Sequence, residues 1–137
     1  NYVNNDSLAG FRILLVEDNE LNMEIMLEIL QEKEAVVETA ENGQVAVDKF
    51  LANKPGYYDL VLMDIKMPKL NGYEAAEKIR ASAKEDAKDI PIIALSADAF
   101  AEDVQKSLAV GMNSHIAKPV DFSILNREIR KYVRKNK

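Results

Sequence analysis

The chain has 137 residues, which is enough for one domain and too few for two of ordinary size. Its formal net charge of -5 argues against direct binding to nucleic acid, and the absence of cysteine excludes disulfides and thiolate metal sites. No apolar run approaches the roughly 18 residues that span a bilayer, and no signal peptide is visible. We therefore expect a cytoplasmic protein whose domain makes no membrane contact.

Residues 1–10 are polar and show no periodicity, which predicts a linker followed by one domain over residues 11–137. Three short, continuous apolar runs follow at residues 13–16, 60–63 and 92–95. Such runs are typical of parallel strands that are buried on both faces. Residues 36–37 and 115–117 are weaker candidates for two more strands.

Helical patterns lie between these runs. Residues 20–33 carry apolar side chains at helical spacing, namely at Met23, Met26, Leu27 and Leu30. The same spacing predicts helices over 45–51, 73–83 and 99–109, and a last one between residues 122 and 133. The order is strand then helix, five times. This alternation predicts an α/β fold with a five-stranded parallel sheet, doubly wound in the flavodoxin-like manner.

In such a sheet, ligands bind at the carboxyl ends of the strands. The predicted strands end at Glu17 and Asp18, at Asp64, at Ser96 and at Lys118, in chain order. Clustered carboxylates repel one another, and a hard cation such as Mg²⁺ relieves this repulsion with oxygen ligands. One carboxylate can then attack phosphorus, while a lysine and a hydroxyl stabilise the transferring group. The set therefore contains the parts needed for phosphoryl transfer to a carboxylate.

Each of these residues alone has a simpler interpretation. Asp18 or Asn19 could cap the first helix, and Ser96 could cap another. Asp64 could lie in a loop before a turn, and Lys118 could be a solvated surface charge. What favours the joint interpretation is that the required groups follow four predicted strand ends in order.

The sequence closely resembles receiver domains of response regulators, especially those attached to hybrid sensor histidine kinases. The match runs from about Arg12 to the end, with family-like spacings. The matching stretches are LVEDN at 15–19, DLVLMDIKMP at 59–68, Gly72, PIIALSA at 91–97, GMN at 111–113, and Lys118-Pro119.

The resemblance implies a metal site and a phosphoacceptor. Glu17 and Asp18 resemble the acid pair that holds Mg²⁺, with Asp18 a direct ligand and Glu17 bound directly or through water. Asp64 resembles the phosphoacceptor and a further metal ligand. The backbone carbonyl of Lys66 would supply another ligand.

The resemblance also implies a phosphate-binding and switching set. Ser96 would hydrogen-bond a phosphoryl oxygen, Lys118 would pair with it, and the bond between Lys118 and Pro119 would be cis. His115 stands where family members often carry Tyr or Phe as a rotamer switch. We expect phosphorylation to alter the face around the fourth helix and fifth strand, without an aromatic swing of the usual kind.

A receiver of this kind needs a phosphohistidine donor, either a histidine kinase dimerisation domain or a histidine phosphotransfer domain. Leu21 and Ile25 fall outside the apolar face of the first helix and are the predicted docking residues. The isolated domain would promote its own phosphorylation and dephosphorylation without being an enzyme in the ordinary sense. The parent chain would be a hybrid histidine kinase, and phosphorylation-dependent dimerisation is a further expectation.

Other functions stay open on the sequence. A receiver-like binding module that is never phosphorylated would normally lack the acceptor, an acid or the lysine, and none is missing here. A phosphatase of the haloacid dehalogenase type would carry a second acid two residues after Asp64, where Lys66 stands. A flavodoxin-like FMN carrier would need a phosphate-binding loop after the first strand, where two acids stand instead. The basic residues at the end of the chain are typical of a solvated helix end, not of a nucleic-acid patch.

Overall fold

The computed structural model describes residues 7–98 and 100–133, in which five strands and five helices alternate. The strands are β1 (Arg12–Val16), β2 (Val36–Ala40), β3 (Leu60–Asp64), β4 (Ile92–Ser96) and β5 (Ser114–Ala117). The helices are α1 (Glu20–Glu32), α2 (Gly43–Ala52), α3 (Gly72–Ala81), α4 (Ala101–Ala109) and α5 (Phe122–Val133). All strand pairs are parallel, in the order β2-β1-β3-β4-β5, which confirms the predicted doubly wound sheet.

The sheet is covered on both faces because its central strands β1, β3 and β4 are apolar at all but their terminal positions. Alternate residues of β1 and β3 point to opposite sides, as strand geometry requires. Leu14 and Val61 belong to a core with α2 and α3, whereas Ile13 and Leu60 belong to a core with α1 and α5. Every residue of β3 and β4 is buried. Residues that end these strands therefore leave the core at one rim of the sheet.

Asparagine side chains cap the starts of the first two helices. The Asn19 side chain accepts a hydrogen bond from the Asn22 N–H at the start of α1, and Asn42 does the same for Val45 at the start of α2. The Asn42 cap explains why α2 begins at Gly43, two residues before the apolar pattern predicts. The helix α4 begins at Ala101, and residue 99, where the pattern placed its start, lies outside the described residues.

The predicted linker of residues 1–10 includes a residue of the core. Residues 1–6 lie outside the described part of the chain. Leu8 is fully buried with residues of α1 and α5, and its N–H donates to the Lys33 carbonyl over 2.7 Å. The few apolar residues of this segment follow no period, so the sequence pattern does not reveal this anchor.

A group of polar and aromatic side chains brings together β1, β2 and the segment before β3. The hydroxyl of Tyr58 donates to Glu38 over 2.8 Å, and the Tyr57 hydroxyl donates to the other oxygen of that carboxylate. The Arg12 guanidinium lies 4.0 Å from the centroid of the Tyr57 ring. We call Glu38, Tyr57, Tyr58 and Arg12 the tyrosine cluster.

Among residues 7–98 and 100–133, no helix combines the length and the apolar character needed to cross a membrane.

Candidate functional site

Three carboxylates meet at the carboxyl ends of β1 and β3. Glu17 and Asp18 follow β1, and Asp64 is the last residue of β3. One oxygen from each lies within 4.8 Å of the others. Glu17 and Asp64 are only 3% and 5% exposed, whereas Asp18 is open to solvent. An oxygen-only donor set of this kind, with one side open, fits a hard divalent cation.

Lys118 faces the two buried acids. Its Nζ lies 3.1 Å from Glu17 Oε1 and 3.2 Å from Asp64 Oδ1. Burial, and then the Glu17 carboxylate, raise the pKa of Asp64 to about 6, although Lys118 acts in the opposite sense. Burial acts to lower the pKa of Lys118, but the Asp64 and Glu17 carboxylates outweigh it, so its pKa is raised. The ammonium is therefore held charged, while the acids beside it still repel each other.

The first helix leaves Asp18 available for a ligand. The side chain of Asn19 accepts from the Asn22 N–H and caps α1, so of the two candidate caps Asn19 is confirmed and Asp18 is wrong. The Asn19 N–H in turn donates to Glu17 Oε2 over 3.1 Å, which orients that carboxylate. The exposed carboxylate of Asp18 thus stands beside two buried ones.

The turn after Asp64 is packed tightly against α3. The Gly72 N–H donates to the Ile65 carbonyl over 2.9 Å. A methyl group at Gly72 would lie 2.4 Å from the Asp64 carbonyl oxygen and 2.9 Å from Ile65 Cα. The side chain of Lys66, the next residue along this turn, forms an ion pair with Asp98 at 2.7 Å. A metal-ligand role for the Lys66 carbonyl stays a prediction.

Ser96 and His115 meet at Asp98, a residue that the sequence reasoning missed. Ser96 is buried at the end of β4, and its Oγ accepts a hydrogen bond from the Asp98 N–H over 3.0 Å. On β5, His115 Nε2 lies 2.9 Å from the Asp98 carbonyl oxygen, and its Nδ1 lies 2.7 Å from Ser107 Oγ. Ser107 was also missed, because a serine within an amphipathic helix gives no sign of a partner on a later strand.

The predicted docking residues lie on the outer side of α1. Leu21 is 64% exposed and Ile25 is 46% exposed. Ile25 also lines a cleft of about 490 Å³ whose wall includes Glu17, Lys118 and Phe122. The structure thus places an apolar surface next to the acidic site. The peptide bond between Lys118 and Pro119, in the same wall, is cis.

Comparison with known protein families gives a match over most of the chain. The family model of the response regulator receiver domain matches residues 13–130. Hybrid signal transduction histidine kinase B from Dictyostelium discoideum is 39% identical over 132 residues, which cover 89% of this chain and 7% of that protein. Peroxide stress-activated histidine kinase mak1 from Schizosaccharomyces pombe is 34% identical over 119 residues, which cover 86% of this chain and 7% of that protein. The chain therefore spans less than a tenth of the length of these two relatives.

Solved structures show the same architecture. The receiver domain of a sensor histidine kinase from Pseudomonas aeruginosa PAO1 is 36% identical, with a TM-score of 0.81 over 92% of this chain and 99% of that one. Its crystal structure holds a magnesium ion in the active site cleft. A Saccharomyces cerevisiae receiver domain, crystallised with a histidine phosphotransfer signaling protein, is 29% identical. Its TM-score is 0.81, and the match covers 92% of this chain and 90% of that one.

Proposed function

Because the chain belongs to the family of response regulator receiver domains of two-component phosphorelays, we propose that it receives a phosphoryl group on Asp64. The observation that carries this proposal is the position of Asp64. Its carboxylate is buried at the end of β3, beside Glu17 and within 3.2 Å of the Lys118 ammonium. A carboxylate held in this way can serve as a nucleophile on phosphorus.

The residues of the site fit Mg²⁺. The carboxylates of Glu17, Asp18 and Asp64 supply oxygen atoms within 4.8 Å of one another, and the carbonyl of Lys66 is the proposed fourth protein ligand. The related Pseudomonas aeruginosa domain, whose structure contains magnesium, supports this assignment. When bound, Mg²⁺ neutralises negative charge on the acids and on the phosphoryl oxygens.

The transfer step uses groups of this chain for attack and for charge. An oxygen of ionised Asp64 forms the new bond to phosphorus. The bond between phosphorus and the donor's imidazole nitrogen breaks, and its electron pair stays on that nitrogen. The Lys118 ammonium, already within hydrogen-bond distance of Asp64, pairs with the phosphoryl oxygens. Ser96 donates its hydroxyl hydrogen to another of these oxygens, which alters the face around α4 and β5.

Treatment with acetyl phosphate and MgCl₂, followed by intact-mass measurement, tests the acceptor. We expect one added phosphoryl group in the parent and none in Asp64→Asn. The matched control is Asp48→Asn, which changes an exposed aspartate on α2 and should label like the parent. Labelling of Asp64→Asn to the parent level would refute the assignment. A parent that never labels would favour the alternative of an unphosphorylated binding module.

The metal assignment has its own test. Titration of MgCl₂ by NMR should show one site in the parent, and Asp18→Ala should bind Mg²⁺ much more weakly because it lacks the open carboxylate. Unchanged affinity in Asp18→Ala would remove Asp18 from the ligand set.

A phosphohistidine donor must bring its imidazole to Asp64, so its surface must lie against the rim of the sheet. We propose that Leu21 and Ile25 contact that donor, a histidine phosphotransfer domain or a kinase dimerisation domain. Two exposed apolar side chains one turn apart, beside a cleft that reaches Lys118, form a suitable apolar contact. The Saccharomyces cerevisiae complex of a receiver with a phosphotransfer protein supports this class of partner.

Replacing both Leu21 and Ile25 by Ser should slow transfer from a phosphorylated protein donor by about ten-fold, since lost apolar contacts of ~1–2 kcal/mol have that effect. Labelling from acetyl phosphate should not change, because that donor needs no docking. Leu51→Ser, at a leucine on α2 that is as exposed as Ile25, is the control and should leave both reactions unchanged. Equal slowing of both reactions in the double variant would show that the two residues are structural.

We also propose that the domain works within a hybrid histidine kinase. The support is that relatives such as the Dictyostelium discoideum protein are hybrid histidine kinases and are much longer than this chain. A full-length polypeptide of this type should label from ATP on a histidine first and on Asp64 afterwards. Labelling of Asp64 only by a separate kinase would indicate a stand-alone regulator.

A further inference from the structure

His115 is bonded at both ring nitrogens, and its partners determine where the proton lies. A backbone carbonyl can only accept, so Nε2, at 2.9 Å from the Asp98 carbonyl oxygen, must carry a hydrogen. In the neutral ring Nδ1 is then the acceptor, and the Ser107 hydroxyl donates to it over 2.7 Å. Of the two neutral tautomers, these partners select the one that carries its hydrogen on Nε2.

The contact with Ser107 also resists rotation of the ring. Ser107 is fully buried on the face of α4 that packs on β5. Turning the imidazole outward would remove the partner from a hydroxyl that water does not reach, and a buried polar group without a partner is unfavourable. His115 is thus held in one position, unlike a ring that is free to swing.

Asp98 extends this connection to the phosphate-binding hydroxyl. Its N–H donates to Ser96 Oγ over 3.0 Å, and its carboxylate pairs with Lys66 at 2.7 Å. Because Ser96 Oγ accepts in this bond, its own hydrogen stays free to donate. A continuous chain of hydrogen bonds therefore runs from Ser107 on α4, through the His115 ring and the Asp98 backbone, to Ser96 at the end of β4.

We infer that Ser107 and His115 are positioning residues that hold Ser96 Oγ in place through Asp98. When Ser96 moves, the hydrogen-bonded residues move together and displace α4. The His115 ring keeps its rotamer and its tautomer during this movement. This inference rests on the proposed function, in which Ser96 binds the phosphoryl group. An aromatic residue at position 115 would be expected to swing between two rotamers. Here, instead, the hydrogen bonds stay intact and the bonded residues are displaced together.

The first test uses the fact that His115 is the only histidine in the chain, so ¹⁵N NMR shows a single imidazole. We expect the neutral Nε2–H tautomer in the parent, with and without beryllofluoride and Mg²⁺ as a phosphate mimic. Ser107→Ala should give a mixture of tautomers and shift the Ser96 amide. The matched control is Ser114→Ala, which removes a serine on β5 whose Oγ donates to Glu128 on α5. It should change neither signal.

Either of two NMR results would overturn the inference. One is an Nδ1–H tautomer in the parent. The other is a ring that changes rotamer when the phosphate mimic binds. The tautomer measurement on the parent needs neither phosphorylation nor the mimic, so it remains decisive if the proposed function fails.

The second test measures the rate of labelling from acetyl phosphate. Ser107→Ala should be about five-fold slower than the parent, the size expected when one net hydrogen bond is lost. His115→Gln, which keeps one donor and one acceptor, should recover most of the rate lost in His115→Ala. Ser114→Ala should label at the parent rate.

A double-mutant comparison separates positioning from general loss of stability. If Ser107 acts through Ser96, then Ser107→Ala should have no further effect in a Ser96→Ala background. An undiminished effect in that background, or no effect in the parent background, would overturn the inference while leaving phosphorylation of Asp64 intact. Absence of labelling in the parent would instead count against the proposed function.

Discussion

Two carboxylates at different places in the sheet have pKa values shifted in opposite directions. At the rim, burial and the neighbouring Glu17 carboxylate raise the pKa of Asp64 to about 6. In the tyrosine cluster, burial acts to raise the pKa of Glu38, but hydrogen bonds from Tyr57 and Tyr58 outweigh it and the pKa falls below its ordinary value. Both acids are near a cation, so proximity to positive charge does not explain the difference.

The difference lies in how much negative charge each region must hold. At the rim, three carboxylates share one ammonium, that of Lys118. In the tyrosine cluster, one carboxylate accepts two hydroxyl hydrogen bonds and is attracted by the charges of Lys49 and Arg12. A satisfied carboxylate supports the fold, and an under-neutralised one is suited to receive a cation. The rim thus carries an electrostatic cost in the ligand-free protein, and the tyrosine cluster does not.

The largest expected effect is that of Lys118→Met, which removes the ammonium that contacts both buried acids. In Mg²⁺-free buffer at pH 7.5 the free energy of unfolding should fall by about 3 kcal/mol, because two buried carboxylates are left without their counter-charge. Urea titration followed by circular dichroism measures this. Adding Asp64→Asn to the variant should restore much of the loss. A loss below about 1 kcal/mol would mean that the rim is better solvated than its burial indicates.

Asp64→Asn alone should stabilise the Mg²⁺-free protein. The folded pKa of about 6 lies above the ordinary value of 3.8, so the fold favours the protonated acid. Below about pH 4 the carboxyl is protonated in both the folded and the unfolded state, and the parent is at its most stable with respect to this group. That stability is lost as the pH rises through about 6, because the folded protein must then hold an ionised, buried carboxylate. The variant should match the parent at low pH and exceed it by almost 3 kcal/mol at pH 8, since each pKa unit corresponds to ~1.4 kcal/mol. Urea midpoints between pH 4 and pH 8 test this, and a constant difference across that range would contradict it.

The smallest effect is expected for Glu38→Gln, which should destabilise the protein, whereas Asp64→Asn should stabilise it. This change removes the charge that the two tyrosine hydroxyls and the nearby cations stabilise, so the free energy of unfolding at pH 7.5 should fall by about 1 kcal/mol. Since the folded pKa of Glu38 is lowered, its contribution is present above its ordinary value of 4.5 and is lost as the pH falls below it. The same urea titrations measure it, and stabilisation by Glu38→Gln would remove the contrast between the two regions.

Much of the fold could be predicted because its strongest signals are local. Runs such as residues 60–63 predict buried strands, and the strands end where the acids, the hydroxyl and the lysine stand. The face of α1 was also predicted correctly, since Met26 and Leu30 are buried while Leu21 is exposed. In a parallel sheet this is enough to bring Glu17 and Asp64 together.

What the sequence did not predict depends on partners far away in the chain. The strand β2 extends to Ala40, beyond the predicted pair of valines, because Tyr57 and Tyr58 satisfy the otherwise unfavourable Glu38. The partners of His115 are 8 and 17 residues away, on another element and in a loop. Periodicity reports burial and not which polar groups meet, so such contacts need the structure.

Gly72 sets a limit on how this site can vary. Because even a methyl group there would lie 2.4 Å from the Asp64 carbonyl oxygen, alanine should be rejected as firmly as a bulky residue. Gly10, whose φ is +89°, has open space around its Cβ position and should accept asparagine, which tolerates that backbone conformation. In a library covering every single substitution, position 72 should therefore be nearly invariant, and position 10 should not. The strand β3 and the helix α3 can consequently diverge only as a matched pair. A receiver rebuilt by exchanging α3 between relatives should keep Asp64 in place when the junction keeps this glycine.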